Sequence, residues 1–323
     1  VEHIAVTRSI VDAKALGDVI AGEYDLGGPV TCKLISKMLR TQDNDHYLVR
    51  AGGTKYVARL YQRGEHLKRQ ETDYRYEMEW LNFLKNNGVR VSVPIRQRDG
   101  GNLGSVQAPE GNRFYALFSY APGMPMAADD EEQLFVVGQK MALIHLLSND
   151  FQTIQERRPM DLTYLVDEPV GRLKQFWAGK EDKRLGLLLA SAEEARVGIM
   201  SLLDNEESTE DSWGPIGGDF HPDNTHFDAS GEPTFYNFDL CGPGWRAYDI
   251  ASFLINANLI NKSSDLSESF FAGYYSVRPL SSNEHLAISP FLTLRRVWLA
   301  GTFSTLDGVA GYTFIGPARI DGQ

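Results

Sequence analysis

At Ala121-Pro122-Gly123 the chain changes character, and no single layer of secondary structure can run across that point. Before it, short β-branched and aromatic runs alternate with turn residues, the pattern of paired strands. After it, apolar residues recur mostly at helical spacing. A chain of 323 residues is about twice the ~150 usual for one domain. Two unequal halves are therefore expected: an N-terminal lobe over residues 1–120 and a mainly helical C-terminal lobe over residues 121–323.

The first half opens with a helix over 9–24, where Ile10, Ala13, Leu16, Val19 and Ile20 share a face and Gly27-Gly28-Pro29 stops the run. Strands are expected over 30–38 and 47–51 around the polar turn 41–45, and Gly52-Gly53 signals a hairpin into a third strand over 56–61. After the charged stretch 63–73, a helix over 74–85 places Tyr76, Trp80, Phe83 and Leu84 on one side and ends at Asn86-Asn87-Gly88. Two further strands, 91–96 and 113–120, flank Gly100-Gly101. In the second half, helices are expected over 129–147, 170–177, 185–203, 247–260 and 286–301, with one small hairpin between the apolar runs at Ile216 and at 235–238. The acidic clusters 129–132 and 204–211 read as solvated faces or loops. The fold class is α+β with an antiparallel sheet.

Composition narrows the function. Forty-three acidic against 32 basic residues give a net charge of −11, a field that repels phosphate backbones and anionic headgroups, so neither nucleic acid nor membrane is an expected partner. No run reaches the ~18 apolar residues of a membrane span. Cys32 and Cys241 are too few for a disulfide framework, as in a reducing cytoplasm, although one bridge stays open. The opening Val-Glu-His has neither an initiator Met nor a signal pattern, so a trimmed N-terminus and a cytoplasmic location are expected. Oligomeric state leaves no trace in the sequence.

Chemistry concentrates in Gly217-Gly218-Asp219-Phe220-His221-Pro222-Asp223-Asn224, followed by Asp239 in Tyr236-Asn237-Phe238-Asp239-Leu240. An Asp and an Asn five apart, then an Asp after an apolar strand, is the spacing of a phosphoryl-transfer loop followed by a metal-binding acid. Asp219 suits a group that orients a hydroxyl and takes its proton. Asn224 and Asp239 offer the oxygen ligands that magnesium prefers. His221 and His226 lack a third ligand nearby, so zinc is not expected. His145, near Met141 and Ile144, reads as a packed core histidine, and Trp213 and Trp245 as packing residues.

These residues resemble the aminoglycoside phosphotransferase and choline kinase-like family, whose loop commonly reads His-Gly-Asp-x-His-x-x-Asn. The likeness extends over about residues 10–310. It implies a two-lobed protein-kinase-like fold and transfer of the γ-phosphate of ATP, with Mg2+, to a small-molecule hydroxyl such as that of an aminoglycoside, choline or homoserine. Arg59, at the end of Tyr56-Val57-Ala58-Arg59, stands where a phosphate-binding Lys is usual, and Glu77 where its ion-pair partner belongs. Phe118-Ser119-Tyr120-Ala121 looks like the hinge, so adenine is expected against the backbone of Ser119 and Ala121. The glycine-poor turn leaves Asn44 to hold phosphates, and Asp249 matches the acid that buttresses the catalytic loop. Gly217 stands where a His is common, so the bonds that His would make must come from elsewhere. Overall acidity mildly favours a cationic acceptor. The departures at Gly217 and Arg59, with the glycine-poor turn, keep open a non-catalytic nucleotide-binding pseudokinase acting as an interaction module; a protein Ser/Thr kinase of the same fold and nucleotidyl transfer are further alternatives.

Overall fold

The computed structural model describes residues 4, 6, 8–35, 44–62, 69–179, 183–203 and 211–304. Helix α1 (Ala13–Glu23) starts at Asp12, whose carboxylate accepts from the Ala15 amide at 2.9 Å and so satisfies one of the unpaired donors of the first turn. Five strands, β1 (Thr31–Leu34), β2 (Asp45–Ala51), β3 (Thr54–Leu60), β4 (Gly104–Ala108) and β5 (Gly111–Ser119), form one antiparallel sheet in the order β1-β2-β3-β5-β4. Between β2 and β3, Gly52 and Gly53 have φ of 54° and 78°. A two-residue turn that follows the strand twist needs both values positive. Of the expected turn, residues 41–43 lie outside the described residues, as do 36–38 of the first strand, 63–68 of the charged stretch and 204–210 of the second acidic cluster.

Two strand expectations need correction. Residues 91–96 form only isolated bridges, Val91 to Phe235 and Pro94 to Phe118, because Pro94 has no N–H to continue a ladder. The partner of β5 is instead β4, an edge strand whose residues are half-buried or exposed and so carry little apolar signal.

Helix α2 (Glu71–Asn86) begins earlier than its apolar pattern, since the Gln70 amide donates to Asp73 Oδ2 at 2.7 Å in a capping box. The core has two parts. Leu16 and Ile20 of α1 pack with Tyr47, Val49, Leu60 and Leu117 on one sheet face. Ala116 and Phe118, on the opposite face, join Tyr76, Trp80 and Leu84 of α2 and the apolar residues of the later helices.

The remaining elements are β6 (Met124–Pro125), α3 (Glu131–Leu147), α4 (Glu168–Phe176), α5 (Lys183–Leu203), β7 (Trp213–Ile216), β8 (Thr225–Phe227), β9 (Pro233–Phe235), β10 (Gly242–Trp245), α6 (Arg246–Asn256), α7 (Ser264–Tyr275) and α8 (Ser282–Ser304). Helix α7 was not expected; it crosses α3 so closely that a Cβ on Gly138 or Gly273 would overlap the facing backbone. The single hairpin expected from Ile216 to 235–238 is replaced by two nested pairs. Ile216 faces Gly242 in β7–β10, and Thr225 faces Phe235 in β8–β9. This nesting projects both 217–224 and 236–241 as loops from neighbouring strand ends. Cys32 and Cys241 are free thiols, so the bridge left open does not form. No helix among the described residues is long and apolar enough to cross a membrane.

Candidate active site

The loop after β7 is held by its backbone. Gly217 N–H and Gly218 N–H donate to the two oxygens of Asp249 on α6, at 2.7 and 2.6 Å. Gly218 has a φ of 76°, and a Cβ there would lie 2.6 Å from the Leu240 carbonyl, so glycine is required on both counts. At Gly217 a Cβ would lie 2.6 Å from the Phe220 ring: the aromatic side chain occupies the space a residue larger than glycine would need. Asp249 is fully buried. Burial pushes its carboxyl up to about 7, against the opposing pull of the two backbone donors and of Arg246.

Behind Asp249 runs a buried polar chain. His145 Nε2 lies 3.1 Å from Asp249 Oδ2, and His145 Nδ1 lies 2.8 Å from Tyr274 Oη, which accepts from Arg278 at 3.2 Å. Arg278 in turn pairs with Glu284 at 2.7 Å. Burial holds His145 well below its ordinary value, so the ring is neutral. The consistent tautomer donates from Nε2 to Asp249 and accepts the Tyr274 hydroxyl at Nδ1. His145 is thus in the core, as expected, but it also steadies the acid that steadies the loop.

Asp219 is anchored on one oxygen. Its Oδ1 accepts from Arg295 on α8 and, at 2.9 Å, from Asn256 on α6, whose amide also donates to the Phe220 carbonyl at 2.8 Å. Oδ2 takes no bond from the described residues, and the side chain is 26% exposed, so this oxygen can meet a hydroxyl. Arg295 and Asn256 escaped the sequence reading. The signal for Arg295 is its place inside an otherwise apolar helix face, where a charged residue needs a partner.

The second loop is held by side chains from the other half. Asp239 Oδ2 accepts from Asn44 at 2.8 Å and from Arg69 at 3.0 Å. Burial alone would raise the Asp239 carboxyl, but the charges of Arg69 and Arg59 and these hydrogen bonds hold it below its ordinary value. Its Oδ1 takes no bond from the described residues. Asn44 also accepts from the Gln62 amide at 2.9 Å, so its carboxamide braces Asp239. Arg59 on β3 pairs with Glu77 on α2 at 2.5 Å, both buried, and Tyr61 donates to the same carboxylate at 3.1 Å. The Arg59 guanidinium lies on the Phe118 ring, 4.6 Å from its centroid, and its Nε is buried without a partner. Asn224 Oδ1 faces Asn237 Nδ2 at 3.4 Å; Asn237 has a φ of 65°, and its own Oδ1 is buried without a partner. The nearby oxygens of Asp239, Asn224 and Asn237 make a hard donor set, which suits magnesium.

The backbone of the expected hinge is largely spent. Ser119 N–H donates to Val93 O at 2.9 Å, and the Ser119 carbonyl accepts from Ser92 Oγ. The Ala121 carbonyl accepts from His226 Nδ1 at 2.9 Å. An adenine can therefore use the remaining lone pairs of those carbonyls, while the Ser119 N–H is committed elsewhere. Trp213 and Trp245 stack edge to face, 4.6 Å apart, rather than flanking a cleft. Among the described residues no cluster of three His, Cys, Asp or Glu is placed to hold a metal.

A two-lobed α+β architecture with two polar loops meeting between sheet and helices defines a protein-kinase-like enzyme class, and comparison with known proteins narrows it. Residues 36–280 match the model of the phosphotransferase enzyme family APH, and the chain belongs to that family. An uncharacterized protein of Synechocystis sp. is 31% identical over 285 residues, covering 88% of this chain and 76% of that one. A homoserine kinase of Brucella anthropi is 26% identical over 266 residues, 81% of this chain and 75% of its own. Among solved structures, the microcompartment-associated aminopropanol kinase superposes with a TM-score of 0.77 at 22% identity, covering 96% of this chain and 94% of that one. An amicoumacin kinase complexed with AMP-PNP, Ca2+ and its substrate gives 0.72 at 18% identity, with the same two coverages. The chain is an enzyme, a phosphotransferase with the kinase-like fold its loop motif implied.

Proposed function

We propose that this phosphotransferase moves the γ-phosphate of ATP, with Mg2+, to the hydroxyl of a small molecule. The observation that carries the reading is the pairing of two incompletely bonded carboxylates, Asp219 and Asp239, each fixed through one oxygen with the other left for a ligand. The kinase names of relatives and the nucleotide analogue bound by one fold neighbour support it. Asp219 orients the acceptor hydroxyl and takes its proton as the acceptor oxygen bonds to the γ-phosphorus and the bond to the departing ADP oxygen breaks. Asp239 Oδ1 and Asn224 would hold magnesium, which when bound neutralises charge that develops on the phosphate oxygens. Arg59, fixed by Glu77, presents its fork to the phosphates, the bidentate role open to Arg as well as Lys. Ser119 and Ala121 would line the adenine end, Asn44 acts by bracing Asp239, and Asp249 by fixing the loop amides. The division of labour follows a boundary near residue 120, with nucleotide on the sheet side and acceptor on the helical side.

Magnesium-dependent release of ADP across a panel of hydroxyl acceptors tests the reading. ADP formed only with acceptor and abolished by EDTA is the expected result. Nucleotide binding without turnover for any acceptor would reduce the chain to a binding module, and AMP on the product would make it a nucleotidyltransferase.

A further inference from the structure

Next to Asp239 lies a narrow cavity lined by three arginines. Arg69, Arg157, Arg158 and Tyr164 line it with Asp73, and Met160 and Leu240 form its floor. The side chains of Arg69 and Arg157 are only 6% and 8% exposed. Arg69 Nη2 is spent on Asp239, but Arg69 Nη1 is buried at this wall with no partner. Arg157 donates to the Asp239 carbonyl at 2.8 Å and to the Asp73 carbonyl at 3.2 Å, and Arg158 pairs with Glu168 at 2.7 Å while lying over the Tyr164 ring. Asp73, the one carboxylate of the lining, is engaged by the Gln70 amide and lies 3.5 Å from Arg157. Each guanidinium has five N–H donors, more than these partners consume. Burial keeps Tyr164 above its ordinary value, so it is a neutral hydroxyl.

We propose that this cavity receives the anionic group of the acceptor, a carboxylate or a phosphate monoester, so that the substrate is a small hydroxy acid or hydroxyalkyl phosphate. The inference rests on the phosphotransferase reading and names the substrate class of that same site. Position supports it. Met160 packs against Gly218, the residue before Asp219, Leu240 follows Asp239, and Arg69 holds Asp239, so the lining touches both loops proposed for the reaction. Size supports it as well. The interior, about 20 Å³, is too small for a sugar ring. Arginine forks bind such oxygens in pairs, and an orphaned buried Nη gains most from an acceptor. The −11 of the whole chain averages over its surface and does not describe this wall.

The test uses matched pairs: homoserine with 3-amino-1-propanol, and glycerol 3-phosphate with glycerol. Each is measured for turnover with Mg-ATP and for calorimetric binding to protein loaded with Mg·AMP-PNP. The expected result is that the anionic member of one pair binds and reacts better by about tenfold or more. Which pair responds tells carboxylate from phosphate. Arg158→Gln should raise the KM of that acceptor by about tenfold or more, leaving kcat within about threefold and nucleotide affinity unchanged, with Arg158→Lys in between because it keeps charge and loses the fork. Preference for an uncharged or purely cationic member, binding of no anionic member, or an Arg158→Gln effect on nucleotide rather than acceptor would overturn the inference. Wild-type protein that fails to bind Mg·AMP-PNP would overturn the functional reading itself and the inference with it.

Discussion

Asp219 and Asp239 are held in opposite ways. The Asp219 loop is fixed from within the helical half: two backbone amides on Asp249, and side chains of α6 and α8 on Asp219 itself. Asp239 is fixed from outside its own half, by Asn44 at the start of β2 and Arg69 just before α2. The position of Asp219, the proposed base, is therefore a property of the helical fold, whereas that of Asp239, the proposed metal ligand, depends on side chains of the sheet half.

The largest effect that would sharpen this contrast is at Asp239. Asp239→Asn removes the carboxylate and leaves Arg69 buried without its counter-charge, a loss of several kcal/mol where a buried partner disappears. Magnesium-dependent AMP-PNP affinity should fall by about 10² or more, with a lower Tm, read by calorimetry in EDTA and in Mg2+. Unchanged magnesium dependence would separate Asp239 from the metal.

Next in size is pH. The buried Asp249 carboxyl, at about 7 when folded and ~3.9 in an unfolded chain, takes up a proton on folding between those values. Stability should therefore fall as pH rises from about 4 to about 7. Turnover should rise across about pH 7, because only the carboxylate accepts from both loop amides without giving up a bond. Neutral His145 and the charges of Arg246 and Asp219 face it. Asp249→Asn should flatten both profiles and lower Tm and kcat together. Stability and turnover moving in the same direction would break the assignment.

Arg59→Met is smaller and concerns the nucleotide alone. It should weaken ATP by about tenfold and adenosine hardly at all, since only ATP carries the charge a guanidinium contacts. Equal losses would make Arg59 and Glu77 a structural pair. Asn44→Ala is the smallest change expected, a few-fold loss of magnesium-dependent affinity with little change in Tm, because Arg69 still holds Asp239. A loss as large as that of Asp239→Asn would show that the sheet half holds the ligand through Asn44 alone.

This contrast also explains what could be read before any fold was known. The Gly217–Asn224 loop and Asp239 were legible because their chemistry needs those residue types at short, ordered spacing. Gly52-Gly53 was legible because only glycine enters both turn positions freely, and the apolar face of α2 because Tyr76, Trp80 and Leu84 repeat at its period. Arg295 and Asn256 were not, since each meets Asp219 only through tertiary packing of α8 and α6, and no local pattern marks that meeting. Arg69 and Asn44 meet Asp239 across 170 and 195 residues of chain. Helix α7 was missed where serines dilute its stripe, and β4 because an edge strand need not be apolar. The mild preference for a cationic acceptor rested on net charge, which averages over a surface and says little about one wall.

The most direct measurement of the central claim separates binding from chemistry at Asp219. Wild type and Asp219→Ala are compared for Mg·AMP-PNP affinity by calorimetry and for acceptor-dependent ADP formation in a single turnover. If Asp219 orients the hydroxyl and accepts its proton, affinity stays within about threefold while the rate falls by about 10²- to 10⁴-fold. Wild-type rates in Asp219→Ala, on an acceptor the native enzyme phosphorylates, would contradict the account.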